Sequence, residues 1–168
     1  MKRLLLLSII LLTFLILLSP LVSANAEVSE RIADNKPTVK EEFYSNGKLK
    51  SRTNFQPKSD GGEHHGPDEE YYENGQLSLS RNFKDGVIDG PLESYSETGQ
   101  LEYKYNYKDG KLDGAVEEYY ENGQLELKFN FKDGKEDGIH ESYDETGQLR
   151  YIKNYKDGKS DGLRVNYL

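Results

Sequence analysis

A period of 24 residues runs through this chain and constrains its fold more than any other feature. Gly75, Gly99, Gly123 and Gly147 keep that spacing. So do the pairs Asp85-Gly86, Asp109-Gly110, Asp133-Gly134 and Asp157-Gly158. A second Asp-Gly follows each at a fixed offset, at Asp89-Gly90, Asp113-Gly114, Asp137-Gly138 and Asp161-Gly162. Tyr71, Tyr95, Tyr119, Tyr143 and Tyr167 share the period. Such self-similarity belongs to an array of small units that bury their apolar sides by stacking on one another.

Inside a unit the pattern has period two. Leu101, Tyr103, Tyr105 and Tyr107 alternate with Glu102, Lys104 and Asn106, and the next unit repeats this with Leu125, Leu127, Phe129 and Phe131. Only an extended strand puts such residues on one face. A shorter strand follows, reading Ile139, Glu141, Tyr143 or Leu163, Val165, Tyr167 on what is expected to be the same aromatic face. Asn74-Gly75, Thr98-Gly99, Asn122-Gly123 and Thr146-Gly147 are expected to be the tight hairpin turns, because Asn and Gly both tolerate positive φ. Lys-Asp-Gly-x-x-Asp-Gly is expected to form a wider loop. The expected fold is all-β: an elongated, single-layer antiparallel meander of tandem hairpins with roughly eleven strands, about 50 Å long at the usual strand spacing. The repeat domain spans 41–168, with units near 43–71, 72–95, 96–119, 120–143 and 144–168. The first unit carries four extra residues, which fall between Gln56 and Glu69.

The residues before the repeat have another character. Lys2 and Arg3 precede an apolar run from Leu4 to Leu18, which Ser19 and Pro20 break. Ala24-Asn25-Ala26 then supplies the small residues that a signal peptidase reads, and Val22-Ser23-Ala24 offers a second cleavage site. Residues 1–26 read as a signal peptide, with an uncleaved anchor as the other reading of the same segment, and 27–40 as a mobile linker. The chain is therefore expected to be exported, to the periplasm, the envelope or the medium. It has no cysteine, which excludes disulfides and lipid attachment at a cysteine. Cleavage after Ala26 removes Lys2 and Arg3 and no acid, taking the net charge from −8 to −10. Such a chain is repelled by phosphate backbones, so nucleic acid is excluded as a partner and a bare anionic membrane surface is disfavoured.

The run Tyr105-Asn106-Tyr107-Lys108-Asp109-Gly110-Lys111-Leu112-Asp113-Gly114, followed by Tyr119-Tyr120-Glu121-Asn122-Gly123, resembles a MORN repeat, in particular the bacterial MORN variant. The resemblance covers about Phe43 to Leu168. The ordinary unit has a Tyr-x-Gly pair and a His-Gly loop. Here Tyr105 replaces the glycine of the pair, and His-Gly occurs only at His65-Gly66. The resemblance implies an elongated sheet of hairpins acting as an interaction scaffold. Some MORN proteins have been proposed to contact phospholipids, and many bacterial variant-repeat proteins, the YwqK-like group, carry an antitoxin label.

No residue set supports catalysis. No serine stands in a nucleophile elbow and no glycine loop cradles phosphate. Glu93, Glu117 and Glu141 recur with the period, whereas a catalytic acid stands alone. The Asp-Gly pairs are what turns require, so no calcium site is assigned to them. His64 and His65 read as part of a solvated insertion loop, and His140 as a residue on the polar side of its strand. No metal or cofactor is expected. The candidate binding residues are the two aromatic rows, Tyr71, Tyr95, Tyr119, Tyr143 and Tyr167 with Phe83, Tyr107, Phe131 and Tyr155. A single sheet cannot cover both its sides, and tyrosine is favoured at interfaces. The same rows also serve as the core of so thin a sheet. The expected partner is a protein, with a glycan as the second choice. The alternatives are an antitoxin- or immunity-type neutralising protein and a structural envelope component.

Overall fold

In each unit the chain first reverses at an Asp-Gly pair. Asp85, Asp109, Asp133 and Asp157 adopt φ of 47–51°, and the glycine after each has φ of 77–80°. Two successive left-handed residues make a type I′ turn, whose twist matches that of the flanking strands. Lys84 accordingly pairs with Val87, and Lys108 with Lys111. The tight hairpin therefore sits at Asp-Gly, not at Asn-Gly as the sequence led us to expect. Asn46, Asn74 and Asn122 do not take positive φ; only the glycine after each does. There the chain turns over four residues. Gly75 N–H donates to the Tyr72 carbonyl at 2.8 Å and Tyr72 N–H to the Gln76 carbonyl at 2.9 Å.

The computed structural model describes residues 35–167. The signal segment and residues 27–34 of the linker lie outside the described residues. The strands are β1 (Thr38–Phe43), β2 (Leu49–Phe55), β3 (His64–Tyr71), β4 (Leu77–Lys84), β5 (Val87–Tyr95), β6 (Leu101–Lys108), β7 (Lys111–Leu112), β8 (Gly114–Tyr119), β9 (Leu125–Lys132), β10 (Lys135–Glu136), β11 (Gly138–Tyr143), β12 (Leu149–Lys156), β13 (Lys159–Ser160) and β14 (Val165–Asn166). All belong to one antiparallel sheet in sequence order. The short pieces β7, β10 and β13 are the first halves of strands that continue as β8, β11 and β14, so the ribbon has eleven strand positions. The sheet begins at Thr38, inside the segment assigned to the linker.

A β-bulge follows every Gly turn. Glu118 pairs with Leu127 but Tyr119 with Leu125, so Glu126 is the extra residue, and the same shift occurs at Glu70/Tyr71, Ser94/Tyr95 and Ser142/Tyr143. One extra residue moves a whole strand to the other face. Ser94 and Leu92 thus lie opposite Tyr103 and Tyr105, while Glu93 lies opposite Lys104. The short strands show Glu and Tyr on one face, and the long strands show Leu, Tyr and Phe on the other. The two aromatic rows, expected together, are on opposite sides of the sheet.

The buried residues among those described are Val116, Asp68, Ser94 and Ser142, and all four lie on the face of the long-strand aromatics. This packed face is the core. Phe83, Tyr107, Phe131 and Tyr155 pair there with Gly66, Gly90, Gly114 and Gly138. His64 is a strand residue rather than part of a solvated loop. Its ring meets Phe55 at 4.7 Å and Phe83 at 5.1 Å, edge to face in both cases. His140 is on the packed face as well, 4.1 Å from the Phe129 ring and flanked by Tyr151 and Tyr155. The bulge explains both the packed-face position of His140 and the exposure of Ile139, which it moves to the other side.

Candidate functional site

On the face opposite the core, one row of side chains crosses the ribbon from strand to strand. Glu41 pairs with Arg52 and Arg52 with Glu69. Further along, Glu93 pairs with Lys104, Lys104 with Glu117, Glu117 with Lys128, and Lys128 with Glu141. Signs alternate, so each base stands between two acids. Lys104 meets Glu93 at 2.7 Å and Lys128 meets Glu117 at 3.1 Å. Opposite charges directly across a ladder stabilise it modestly and fix its register.

The tyrosines of the short strands border this row. Tyr71 donates to Glu69, Tyr95 to Glu93 and Tyr119 to Glu117, at 2.8, 2.8 and 3.0 Å. Residues two apart in a strand share a face, which is why the carboxylate is within reach. Hydrogen bonds from Lys104 and then Tyr95 hold Glu93 below the usual carboxylate range. Burial pulls Glu117 upward, but the bonds from Lys128 and Tyr119 outweigh it and leave it lowered. Burial, then the bond to Glu93, pushes Tyr95 up to about 12. Among the nine candidates, Tyr71, Tyr95, Tyr119 and Tyr143 are half-buried on this charged face, and Tyr167 is exposed just beyond β14. Phe83, Tyr107, Phe131 and Tyr155 are across the sheet and do not join them.

Sequence reasoning missed two sets of residues that tie unit to unit. Along one edge, the turn tyrosines reach forward: Tyr44 to the Tyr71 carbonyl at 2.6 Å, Tyr72 to that of Tyr95 at 2.8 Å, and Tyr120 to that of Tyr143 at 2.9 Å. The Asn of the same turn does likewise, from Asn46 to Glu73, Asn74 to Glu97 and Asn122 to Glu145. Along the other edge, the second Asp of each loop accepts from the next hairpin: Asp89 from the Asp109 N–H at 3.1 Å and Asp113 from that of Asp133 at 3.2 Å. The third turn, Ser96 to Gly99, is different. Ser96 and Thr98 bond to each other at 2.8 Å, and Ser96 Oγ accepts from the Gln100 N–H at 3.2 Å. The forward clamp is absent there among the described residues.

These features define a class of protein: an open ribbon of stacked hairpins, laced along both edges, with a charged face and a packed face. The profile of the MORN repeat variant family matches five times, over residues 39–56, 65–85, 88–109, 112–133 and 136–157, which together make up more than half of the chain. The chain belongs to the MORN repeat variant family. No curated protein matches it.

Proposed function

We propose that this chain is an exported, non-enzymatic scaffold that holds a protein partner along its sheet. The observation that carries this reading is the charged face, where Tyr71, Tyr95, Tyr119 and Tyr143 recur beside a ladder of alternating charge. A tyrosine held by a carboxylate is preorganised, so little entropy is lost when a partner covers it. Tyrosine also offers a ring and a hydroxyl to one contact. The export component rests on the N-terminal sequence, and a glycan stacking on the same rings is the second choice of ligand.

The test is capture by the full chain, tagged at its C-terminus, from envelope and secreted fractions of the producing cell. A variant with Tyr95, Tyr119 and Tyr143 all changed to Ser serves as control. It keeps the packed face, so its circular dichroism should match the parent. Loss of the captured band from this folded variant supports the reading; capture that persists sinks it.

A second reading is a neutralising protein of the antitoxin or immunity type, favoured by the acidic balance, which would steer a basic toxin onto the ribbon. Protection of a cell that co-expresses a neighbouring toxin would favour it. A structural envelope role is supported by β1, whose six residues are all exposed at one end of the sheet.

A further inference from the structure

The geometry points to the groove over the third turn as a seat for an arginine side chain of a basic partner protein, an inference that rests on the scaffold reading and names its partner's chemistry. The groove, about 710 Å³, is lined by Tyr103, Tyr120, Glu97, Glu102, Glu121 and Ser96, among others. It lies where the forward clamp fails. Tyr72 and Tyr120 occupy the first position of their turns and lean onto the next unit, and Ser96 occupies that position in the third turn. A missing phenol ring accounts for the open space.

Charge selects what fills the space. The groove's lining includes three glutamates and neither lysine nor arginine. The hollow at the first unit is neutralised from within, since Arg81 bonds Asp68 at 2.6 Å and Glu70 at 3.1 Å. Nothing in the third-turn groove plays the part of Arg81. Tyr72, on the preceding turn, feels two of the same carboxylates: burial first, and then the charges of Glu102 and Glu97, raise its hydroxyl above its ordinary value.

The chain also shows what the aromatic wall accepts. Tyr151 is the counterpart of Tyr103 two periods along, and it too follows a turn without tyrosine, at Asp144 to Gly147. There the guanidinium of Arg164 lies over the Tyr151 ring, 3.7 Å from its centre. The position equivalent to Arg164 is the buried Val116, so among the described residues the Tyr103 ring meets the Tyr105 ring, at 4.9 Å, and no guanidinium. A guanidinium is flat and weakly hydrated and can stack on a ring while its edge bonds a carboxylate, which an ammonium cannot do. A partner's arginine would complete in trans what Arg164 completes in cis.

The experiment is an NMR titration of the purified full chain with the peptide acetyl-Gly-Arg-Gly-amide, followed at the amides of Gln100, Tyr103 and Tyr120. The matched citrulline and lysine peptides are the controls. The expected result is saturable shifts confined to these residues, with both control peptides weaker by about tenfold. The Ser96→Tyr/Thr98→Asn variant copies the turn at Tyr120 to Gly123, fills the groove and restores the clamp. It should be at least as stable as the parent and lose the shifts. Glu97→Gln/Glu102→Gln, which keeps shape and removes charge, should weaken binding several-fold. Equal binding of the citrulline or lysine peptide, or unchanged binding by Ser96→Tyr/Thr98→Asn, overturns the assignment. Such a result would leave the scaffold reading standing, because Tyr95 and Tyr143, two of the tyrosines that test it, lie outside the groove's lining.

Discussion

The Tyr72 hydroxyl donates to the backbone carbonyl of Tyr95, 23 residues further on, at 2.8 Å. This bond joins one hairpin unit to the next and leaves the ladder bonds within each untouched. In an array whose stability is a sum of unit and interface terms, such a bond acts on the interface term alone. Tyr72→Phe removes the hydroxyl and keeps the ring. The expected loss is about 1 kcal/mol, read from the urea midpoint. Tyr120→Phe should cost a similar amount, and the double variant should lose close to both together, since the two clamps lie far apart. A double variant no weaker than either single one would show that the units do not stack as described.

Gly138 pairs with Tyr155 on the packed face and has φ of 116°, and a Cβ added there would lie 3.3 Å from the Cβ of Asn130. Both the dihedral and the contact oppose a side chain. Gly138→Ala should lower stability by roughly 1–3 kcal/mol, seen as a lower Tm. Gly47 has φ of 82° but open space around it, so Gly47→Ala should cost less.

Stability should fall in alkali. Burial, and then the bond to Glu93, pushes Tyr95 up to about 12; burial, and then the bond to Glu118, does the same to Tyr105, also to about 12. In the unfolded chain both phenols titrate near 10. Between roughly pH 10 and 12 the folded protein holds protons that the unfolded chain has released, so unfolding becomes easier as the pH rises through that window. Lys104, raised chiefly by its hydrogen bond to Glu93, acts in the same direction. Phenolate absorbance should show a late-titrating group of tyrosines that Tyr95→Phe and Tyr105→Phe each reduce.

The acid side depends on His140. Burial first, and then the charges of Lys153 and Arg164, hold its pKa below the ordinary value, and its buried Nδ1 has no hydrogen-bond partner among the described residues. Below about pH 6.5 the unfolded chain takes up a proton that the folded ring resists. The stability contributed by neutral His140 is therefore present above that pH and lost as the pH falls through the folded value. His140→Phe should flatten the fall of the urea midpoint as the pH drops below about 6.5, relative to the parent. Parallel curves for the two proteins would assign the acid sensitivity to other groups.

The period and the alternation within each unit make the antiparallel ribbon legible in the amino-acid order alone. The faces were not legible, because one bulged residue per unit, such as Glu126, reverses the phase between Tyr119 and the row that starts at Leu127. Nothing in a run of alternating residues marks where a ladder slips. The turn types were exchanged for a related reason. Asn-Gly and Asp-Gly both permit left-handed residues, and the choice between them was made by tertiary bonds, with Asn74 reaching the Glu97 carbonyl and Asp89 the Asp109 N–H. The sequence did contain one clue to the groove, the switch from Asn-Gly to Thr-Gly at Thr98. Its meaning needed the distance between stacked turns.

A surface that repeats every 24 residues has a problem of address: a partner aligned on one unit finds nearly the same surroundings one unit away in either direction. Ser96 removes that ambiguity. By interrupting the laced edge between the Tyr72 and Tyr120 clamps, it supplies a fiducial mark inside an otherwise self-similar track. A partner that recognises the mark is held in one frame, with one polarity, and the units on either side act as a ruler measured from that point.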